Sequence, residues 1–304
     1  MKKILILGGA GFIGSKTAYA LVNLGFKVLI IDNLSTGRKE NIDKSFDFIK
    51  TDIGNYKKMN EIFKKFKPDY LFNFAFNVLV PKSIENPSLE IKSIKDHLNI
   101  LEICKNNNTK KIIFPSTGFV YGNINGSKKI KENDLISLEN PYSIAKYTAE
   151  KFTIYYNKKF NLDYTILRYA AVYGPGQVTG AMSDYIRSAK KNITCNFWGS
   201  KKTRDYVFIE DVVKANLSCL EDNSSKKIIN IGTGMGTNLL KLYYKICKNL
   251  NVKPKPKFNN YIIGEQDNYK LDASFAKKAI NWYPKIRLNY GLKTTIEHHI
   301  KYNL

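Results

Sequence analysis

The sequence predicts an α/β fold, a doubly wound parallel sheet joined to a smaller α/β substrate domain. Three observations predict it. Short apolar runs alternate with helix-like segments through the first half of the chain. A glycine-rich turn separates the first apolar run from the first helical pattern. Beyond Arg168 the alternation breaks at Gly174-Pro175-Gly176, and the later elements are shorter and irregular. The sheet-forming domain is therefore placed at 1–168 with about 206–231, and the smaller domain at 169–205 and 232–304.

Residues 3–7 (Lys-Ile-Leu-Ile-Leu) suit a strand buried on both faces. Gly8-Gly9-Ala10-Gly11-Phe12-Ile13-Gly14 follows at once, and a helical pattern runs over 15–24. Gly9, Gly11 and Gly14 satisfy a G-x-G-x-x-G spacing, while Gly8, Gly11 and Gly14 satisfy G-x-x-G-x-x-G. Such spacing serves a tight turn whose backbone approaches a pyrophosphate at a helix N-terminus. The alternative is a glycine-rich turn with no ligand. A second strand over 28–31 ends in Asp32, about twenty residues past the loop, where a carboxylate accepts hydrogen bonds from the adenosine ribose. An acid there repels a 2′-phosphate, so this Rossmann-like start predicts NAD rather than NADP.

The remaining elements follow in order. A strand over 46–50 leads to Thr51-Asp52, and 56–66 is an amphipathic helix. A buried strand spans 70–74, a helix opened by Pro87 runs to 104, and 111–115 is the next strand. Residues 142–160 form a helix and 164–167 a strand, and 207–220 and 227–231 are expected to return to the main sheet.

A chain of 304 residues, 43% hydrophobic, can bury a large core in one or two domains. No apolar run approaches ~20 residues, and Met-Lys-Lys leads straight into a strand, so we expect no signal peptide, no membrane span and a cytoplasmic location. Cys104, Cys195, Cys219 and Cys247 have no paired spacing and read as reduced and structural. The histidines form no metal-ligand pattern, so no metal is expected, and His298-His299 read as surface residues of a terminal helix. The net charge is +23. Its lysines are scattered rather than massed in one stripe, which argues against a nucleic-acid surface. A basic surface also steers a diphosphate-bearing substrate inwards, and a polyanion-binding module is the competing class.

The chemistry concentrates in Asn140-Pro141-Tyr142-Ser143-Ile144-Ala145-Lys146. Proline before a helix-forming run sets Tyr142 and Lys146 one turn apart on one face. An ammonium beside a phenol favours phenolate and lowers a pKa that is ~10 unperturbed. Two unrelated surface side chains share that spacing, but the dinucleotide turn in the same chain supplies a reason for the pair.

Several motifs then coincide in order. They are Gly8-Gly-Ala-Gly-Phe-Ile-Gly-Ser15, Asp32-Asn-Leu-Ser-Thr-Gly37, Ser116-Thr-Gly-Phe-Val-Tyr-Gly122, Tyr142-x-x-x-Lys146, Leu167-Arg-Tyr169, Val172-Tyr-Gly-Pro175, Thr203-Arg-Asp-Tyr206 and Asn230-Ile-Gly-Thr-Gly234. Together they resemble the extended short-chain dehydrogenase/reductases, in particular the nucleotide-sugar epimerase/dehydratase family and its UDP-glucose 4-epimerase-like members. The resemblance spans the chain as far as Gly264-Glu265 and Asp272-Ala-Ser274.

That resemblance implies roles. Gly8, Gly11, Phe12, Ile13 and Gly14 would cradle the NAD pyrophosphate, and Asp32 and Asn33, with Ser35, Thr36 and Gly37, the adenosine ribose side. Asp52 and Ile53 would flank the adenine, and Phe74, Ala75 and Phe76 would form the loop after the fourth strand. Tyr169 would lie beside the nicotinamide, and Thr117 would hydrogen-bond the reacting sugar hydroxyl. Arg204 would clamp the substrate diphosphate, a task suited to its fork of donors, unless it pairs with Asp205 or Asp211. Val172 and Gln177 fall on the substrate side. Tyr142 would act as base and Lys146 would hold the nicotinamide ribose and keep the phenol acidic.

The implied activity is NAD-dependent epimerisation of a nucleotide-diphosphate sugar by transient oxidation at C4. A 4-keto-sugar reductase or a dehydrogenase would use the same three residues, and a non-catalytic NAD-binding scaffold is a remote alternative. The family also implies a homodimer, formed through helices 88–104 and 142–160. Departures are informative too. Gly118-Phe119 stands where dehydratases carry an acidic pair, which disfavours dehydration. Ala171, Ile262, Ser93 and Asp96-His97 replace the usual Asn, Arg, Asn and Gly-Thr. Each lost charged hydrogen bond is worth ~1.5–3 kcal/mol. An altered grip on the diphosphate is expected, with a sugar nucleotide other than plain UDP-glucose or UDP-galactose.

Overall fold

The structure, a computed structural model, describes residues 1–77, 80–123, 128–260 and 268–303. The chain opens with β1 (Lys3–Leu7), α1 (Phe12–Asn23), β2 (Lys27–Asp32), β3 (Asp47–Lys50), α2 (Tyr56–Phe66) and β4 (Tyr70–Asn73). It continues through α3 (Val80–Glu85), α4 (Ser88–Asn106), β5 (Lys111–Thr117), α5 (Pro141–Phe160) and β6 (Asp163–Tyr169). The later elements are β7 (Ala171–Tyr173), α6 (Ala181–Lys190), β8 (Cys195–Phe197), β9 (Thr203–Phe208) and α7 (Ile209–Ser218). Then come β10 (Lys227–Ile231), β11 (Gly236–Asn238), α8 (Leu239–Asn249), β12 (Pro256–Phe258), α9 (Ser274–Ile280) and α10 (Leu288–Lys301).

Seven strands form one sheet in the order β10-β6-β5-β4-β1-β2-β3, every pair parallel. The order reverses between β1 and β4, the position where such sheets open a crevice at their carboxyl ends. Alternation within each strand explains the apolar runs. Ile4, Ile6, Ile30, Phe72 and Ile113 face one layer with Ala18 and Leu21 of α1 and Val212 and Ala215 of α7. Leu5, Leu7, Ile31, Leu71 and Phe114 face the other, with Phe63 of α2, Leu101 of α4 and Ala149 of α5. Both faces are covered, so the middle of the central strands is apolar on both sides, and the polar residues gather at the strand ends.

Beyond β6 the chain builds a three-stranded sheet, β11-β9-β7, and a β12-β8 pair. An aromatic core of Tyr173, Tyr185, Phe197, Tyr206, Phe208 and Tyr243 holds them to α6, α8 and α10.

Three expectations are corrected here. The first helix begins three residues earlier than its pattern, because Gly11 is its extended N-cap and Gly14 lies inside it. Residues 207–220 do not return to the main sheet as a strand; Val207 and Phe208 end β9, paired with β7, and only α7 comes back to pack on α1. The 227–231 strand, β10, does join the main sheet, beside β6. His299 is not a surface residue but fully buried, on the α10 face that carries Gly291, Leu292, Thr295 and Ile296, and burial pushes its ring down to about 4. The four cysteines are free and buried, with Cys104 and Cys219 pushed up to about 12 by burial. Among the described residues no helix is long and apolar enough to cross a membrane.

Candidate active site

The glycine turn is closed by contacts that forbid side chains. A Cβ on Gly14 would stand 2.3 Å from the Gly8 carbonyl oxygen, and one on Gly8 (φ +73°) would stand 2.7 Å from the Ala75 amide nitrogen. The N-terminus of α1 has no side-chain cap and no acid in its first turn. Uncapped amides and a positive helix end fit a diphosphate, so the residues present suit a dinucleotide.

Asp32 ends β2 and is buried. Its carboxylate accepts from the Ala10 amide at 2.9 Å and the Leu34 amide at 2.7 Å, pinning the glycine turn from behind. A carboxylate has about four lone-pair sites, so acceptor capacity remains for a ribose. Gly37 packs so closely on this carboxylate that a Cβ would lie 2.8 Å from Oδ2. Asn33 donates its side-chain amide to Asp52 at 2.9 Å, and its own carbonyl oxygen accepts from the Ser35 amide. Thr36 is exposed beside them, and Ile53 is buried in the layer beneath. Asp52 also accepts from Gly54 and Lys92, and these bonds outweigh burial and hold its carboxyl below the usual range.

The second group assembles where β4, β5 and β6 end. Phe74 and Ala75 press on Gly8, and Phe76 continues the loop. Thr117 is the last residue of β5, two residues beyond the expected strand end, and lies directly opposite Tyr169 in the ladder. Helix α5 starts on Pro141, with Asn140 and Ser143 forming a reciprocal capping box that fixes its entry. This sets Tyr142 and Lys146 inward, 9% and 4% exposed. The Lys146 ammonium donates to the Pro115 carbonyl at 2.8 Å and lies 4.1 Å from the Phe76 ring centre and 4.8 Å from that of Phe114. The Thr117 hydroxyl lies near enough to Tyr142 to pull the phenol down, and it accepts from the Phe119 amide at 3.2 Å.

The expected lowering of the phenol is not what this arrangement does. Burial pushes Tyr142 well above its ordinary range, and the Thr117 hydroxyl offsets only part of that. Burial also drives Lys146 down to about 7, against the anions of Glu90 and Glu150. Desolvation penalises the charged form of each group and is the largest influence on both.

Tyr169, the ladder partner of Thr117, has its hydroxyl taken up in the core. Its hydroxyl donates to Asn216 of α7, which in turn donates to Thr17 of α1, and the ring packs in the layer with α1 and α7. Val172 and Gln177 are bonded to each other, the Gln177 side-chain amide donating to the Val172 carbonyl at 3.0 Å. Arg204 donates to the Thr203 carbonyl, and its guanidinium lies 5.8 Å from the Phe119 ring and 5.9 Å from Tyr269. Asp205 is taken up by the amides of Thr233, Gly234 and Leu271, and Asp211 by those of Lys285 and Ile286. Phe119 also meets Tyr142 edge-on at 6.2 Å, which links the arginine to the phenol through one aromatic wall.

At position 118 a Cβ would meet the Tyr269 ring at 3.0 Å and Leu271 at 3.3 Å. An acid of the dehydratase kind would have to displace these side chains. Asp96 and His97 were expected to have cost the diphosphate its donors. They lie instead on the cofactor side, Asp96 paired with Lys92 beside Asp52 and His97 bonded to Asn73 and Thr153. Ser93 accepts from Asn77 on the loop after β4. Ile262, Gly264 and Glu265 lie outside the described residues. Sequence reasoning missed Glu90, Phe119 and Tyr269. Only Glu90 carried a signal, an acid seven residues before His97 on one stripe of α4.

A profile of the NAD dependent epimerase/dehydratase family matches residues 4–232. The chain is 34% identical over 300 residues to a putative UDP-glucose 4-epimerase of Methanocaldococcus jannaschii, covering 96% of this chain and 97% of the relative. It resembles the crystal structure of a Thermotoga maritima UDP-glucose 4-epimerase with UDP-glucose, at a TM-score of 0.94, 33% identity and coverage of 99% and 100%. A Thermus thermophilus UDP-glucose 4-epimerase in complex with NAD matches at a TM-score of 0.93 and 27% identity, covering 97% of this chain and 98% of that one. A glycine turn shaped for a dinucleotide, an inward Tyr/Lys pair on α5 and a family match over most of the chain lead to one conclusion: the chain belongs to the NAD-dependent epimerase/dehydratase family and is an NAD-dependent enzyme of Rossmann-like fold.

Proposed function

We propose that the enzyme epimerises a nucleotide-diphosphate sugar at C4, with Thr117, Tyr142 and Lys146 as its reacting set. One observation carries the reading, the buried cluster in which Tyr142 has the Thr117 hydroxyl beside it and stands one turn from a buried Lys146, with a tightly packed Gly118 where dehydratases carry an acid. Thr117 orients the sugar hydroxyl and Tyr142 takes its proton. Bound NAD supplies the hydride acceptor and donor, so one cofactor serves both halves of the cycle. Lys146 must be an ammonium to favour the phenolate, and Tyr142 returns the proton when the ketone is reduced on its other face. The glycine turn, Asp32, Asn33 and Phe74–Phe76 hold the cofactor, and Arg204 with Gln177 faces the diphosphate side.

The relatives named UDP-glucose 4-epimerases favour a uridine base. With Asp96 and His97 placed on the cofactor side, Ala171 is the described substitution that speaks for a different sugar. Residues 1–168 with about 209–231 form the NAD domain, α9 packing against it at β10, and the remainder the substrate domain. Two copies pair through α4 and α5, whose Ile91, Ile144 and Tyr155 are exposed.

The test is incubation of the purified protein with NAD and a panel of UDP-, dTDP-, CDP- and GDP-hexoses. C4 epimers of a UDP-sugar should form without net NADH, and Tyr142→Phe should lower turnover by about 10²–10⁴-fold while keeping NAD affinity. Net NADH with ketone release would establish a dehydrogenase instead. Full turnover by Tyr142→Phe would remove the proposed base.

A further inference from the structure

The reading of Tyr142 and Lys146 as the reacting pair leaves one buried acid unexplained. Glu90 sits in the first turn of α4 and is 3% exposed. One oxygen, Oε1, accepts from the Asn77 side-chain amide at 2.6 Å. The other, Oε2, is shut off from water and has no hydrogen-bond partner among the described residues. An orphaned carboxylate oxygen in a dry pocket is costly unless a positive charge faces it.

The loop after β4 brings the nearest such charge to the same side. Phe76 places its ring 4.1 Å from the Lys146 ammonium, and the next residue, Asn77, grips Glu90. Consecutive residues therefore hold the acid and the lysine on one side of the site, with α4 packed on α5 around them. Lys146 uses one donor on the Pro115 carbonyl and rests on two aromatic faces. It carries three donors in all.

We propose that Glu90 is a positioning residue for the Tyr142–Lys146 pair, the buried counter-charge that keeps Lys146 an ammonium at neutral pH. The other titratable groups around it do not take that part. Glu150 of α5 is spent on the Arg168 guanidinium, at 2.7 Å, and on Ser116. His97 of α4 accepts from Asn73 and is held neutral by burial. Lys82 and Glu85 of α3 are exposed. Burial raises Glu90 itself above the usual carboxylate range, and the Asn77 bond and the Lys146 charge pull against that rise. Glu90 also pushes Tyr142 up, so it aids the phenol only through the lysine.

The test compares wild type with Glu90→Gln, which keeps an acceptor for Asn77 and removes the charge, and with Glu90→Asp as the conservative variant. The Lys146 ε-carbon resonance, assigned by its loss in Lys146→Arg, is followed against pH in the substrate-free protein. In Glu90→Gln its midpoint should fall by about one unit or more, the shift an opposite charge at close range produces. Glu90→Asp should recover part of it. Thermal midpoints confirm that each variant is folded. A Lys146 titration identical in wild type and Glu90→Gln overturns the proposal, as does a lowered turnover in Glu90→Gln with an unmoved titration, which is a structural effect alone. Because the titration needs no substrate, its outcome stands apart from that of the sugar panel.

Discussion

At the scale of single residues, the site depends on atoms that are missing as much as on those present. Gly14 lies inside α1 with the Gly8 carbonyl where its Cβ would be. Gly14→Ala must therefore push the turn open, at the ~1–3 kcal/mol typical of overpacking. NAD affinity should fall by about tenfold or more, since each 1.4 kcal/mol is a factor of ten. Calorimetric titration of NAD checks this, and unchanged affinity would contradict a diphosphate seat at the turn. The glycines were legible in the sequence because their spacing is the signal. Asp32 was only half legible. Its position predicted a ribose acceptor, while its bonds to Ala10 and Leu34 depend on how the turn folds back and have no sequence signature. Phe119 and Tyr269 were illegible for a related reason. Aromatic residues 150 positions apart look like ordinary core until a loop brings them to one wall.

At the scale of the element, α4 carries more polarity inward than its pattern suggests. Asp96, His97 and Glu90 are all buried on it. Asn73 donates to His97 Nδ1, so Nε2 bears the proton and donates to Thr153, whose hydroxyl donates to the Ala149 carbonyl. That chain ties β4 to α4 and α5 only while the ring is neutral, and burial lowers it from 6.5 to about 3. The unfolded chain then binds the extra proton between those values, so this stability is complete above about pH 6.5 and is lost as pH falls toward 3. His97→Gln should be less stable than wild type at neutral pH but lose less on acidification. Urea midpoints measured above and below the ordinary histidine pKa check the sign. The longer helices of this region were legible, as α2 and α5 show by starting within one residue of their predicted positions, while the short α3 was not. Inward polarity was not, because a charged residue every third or fourth position reads equally as a solvated face.

At the scale of the whole molecule, α4 and α5 lie side by side and leave Ile91 69%, Ile144 46% and Tyr155 53% exposed. Such a patch on two adjacent helices suits a copy of itself across a two-fold axis. Wild type should scatter light as a dimer and Ile144→Glu should shift it toward monomer; a wild-type monomer mass at micromolar concentration would refute the pairing. The parallel sheet was legible from its alternating runs, but the placement of 207–220 was not, since one apolar stretch hid both the end of β9 and all of α7. The late arrival of β10 has a consequence for synthesis. Lys227–Ile231 closes the edge of β6, yet β7, α6, β8, β9 and α7 are all made before it. A nascent chain emerging from the ribosome therefore displays an open row of backbone donors and acceptors along β6 until residue 231 is out. A chain stopped upstream of that point leaves β6, buried from Tyr164 to Tyr169 in the finished sheet, as its edge, an uncovered strand of the kind that pairs with other chains.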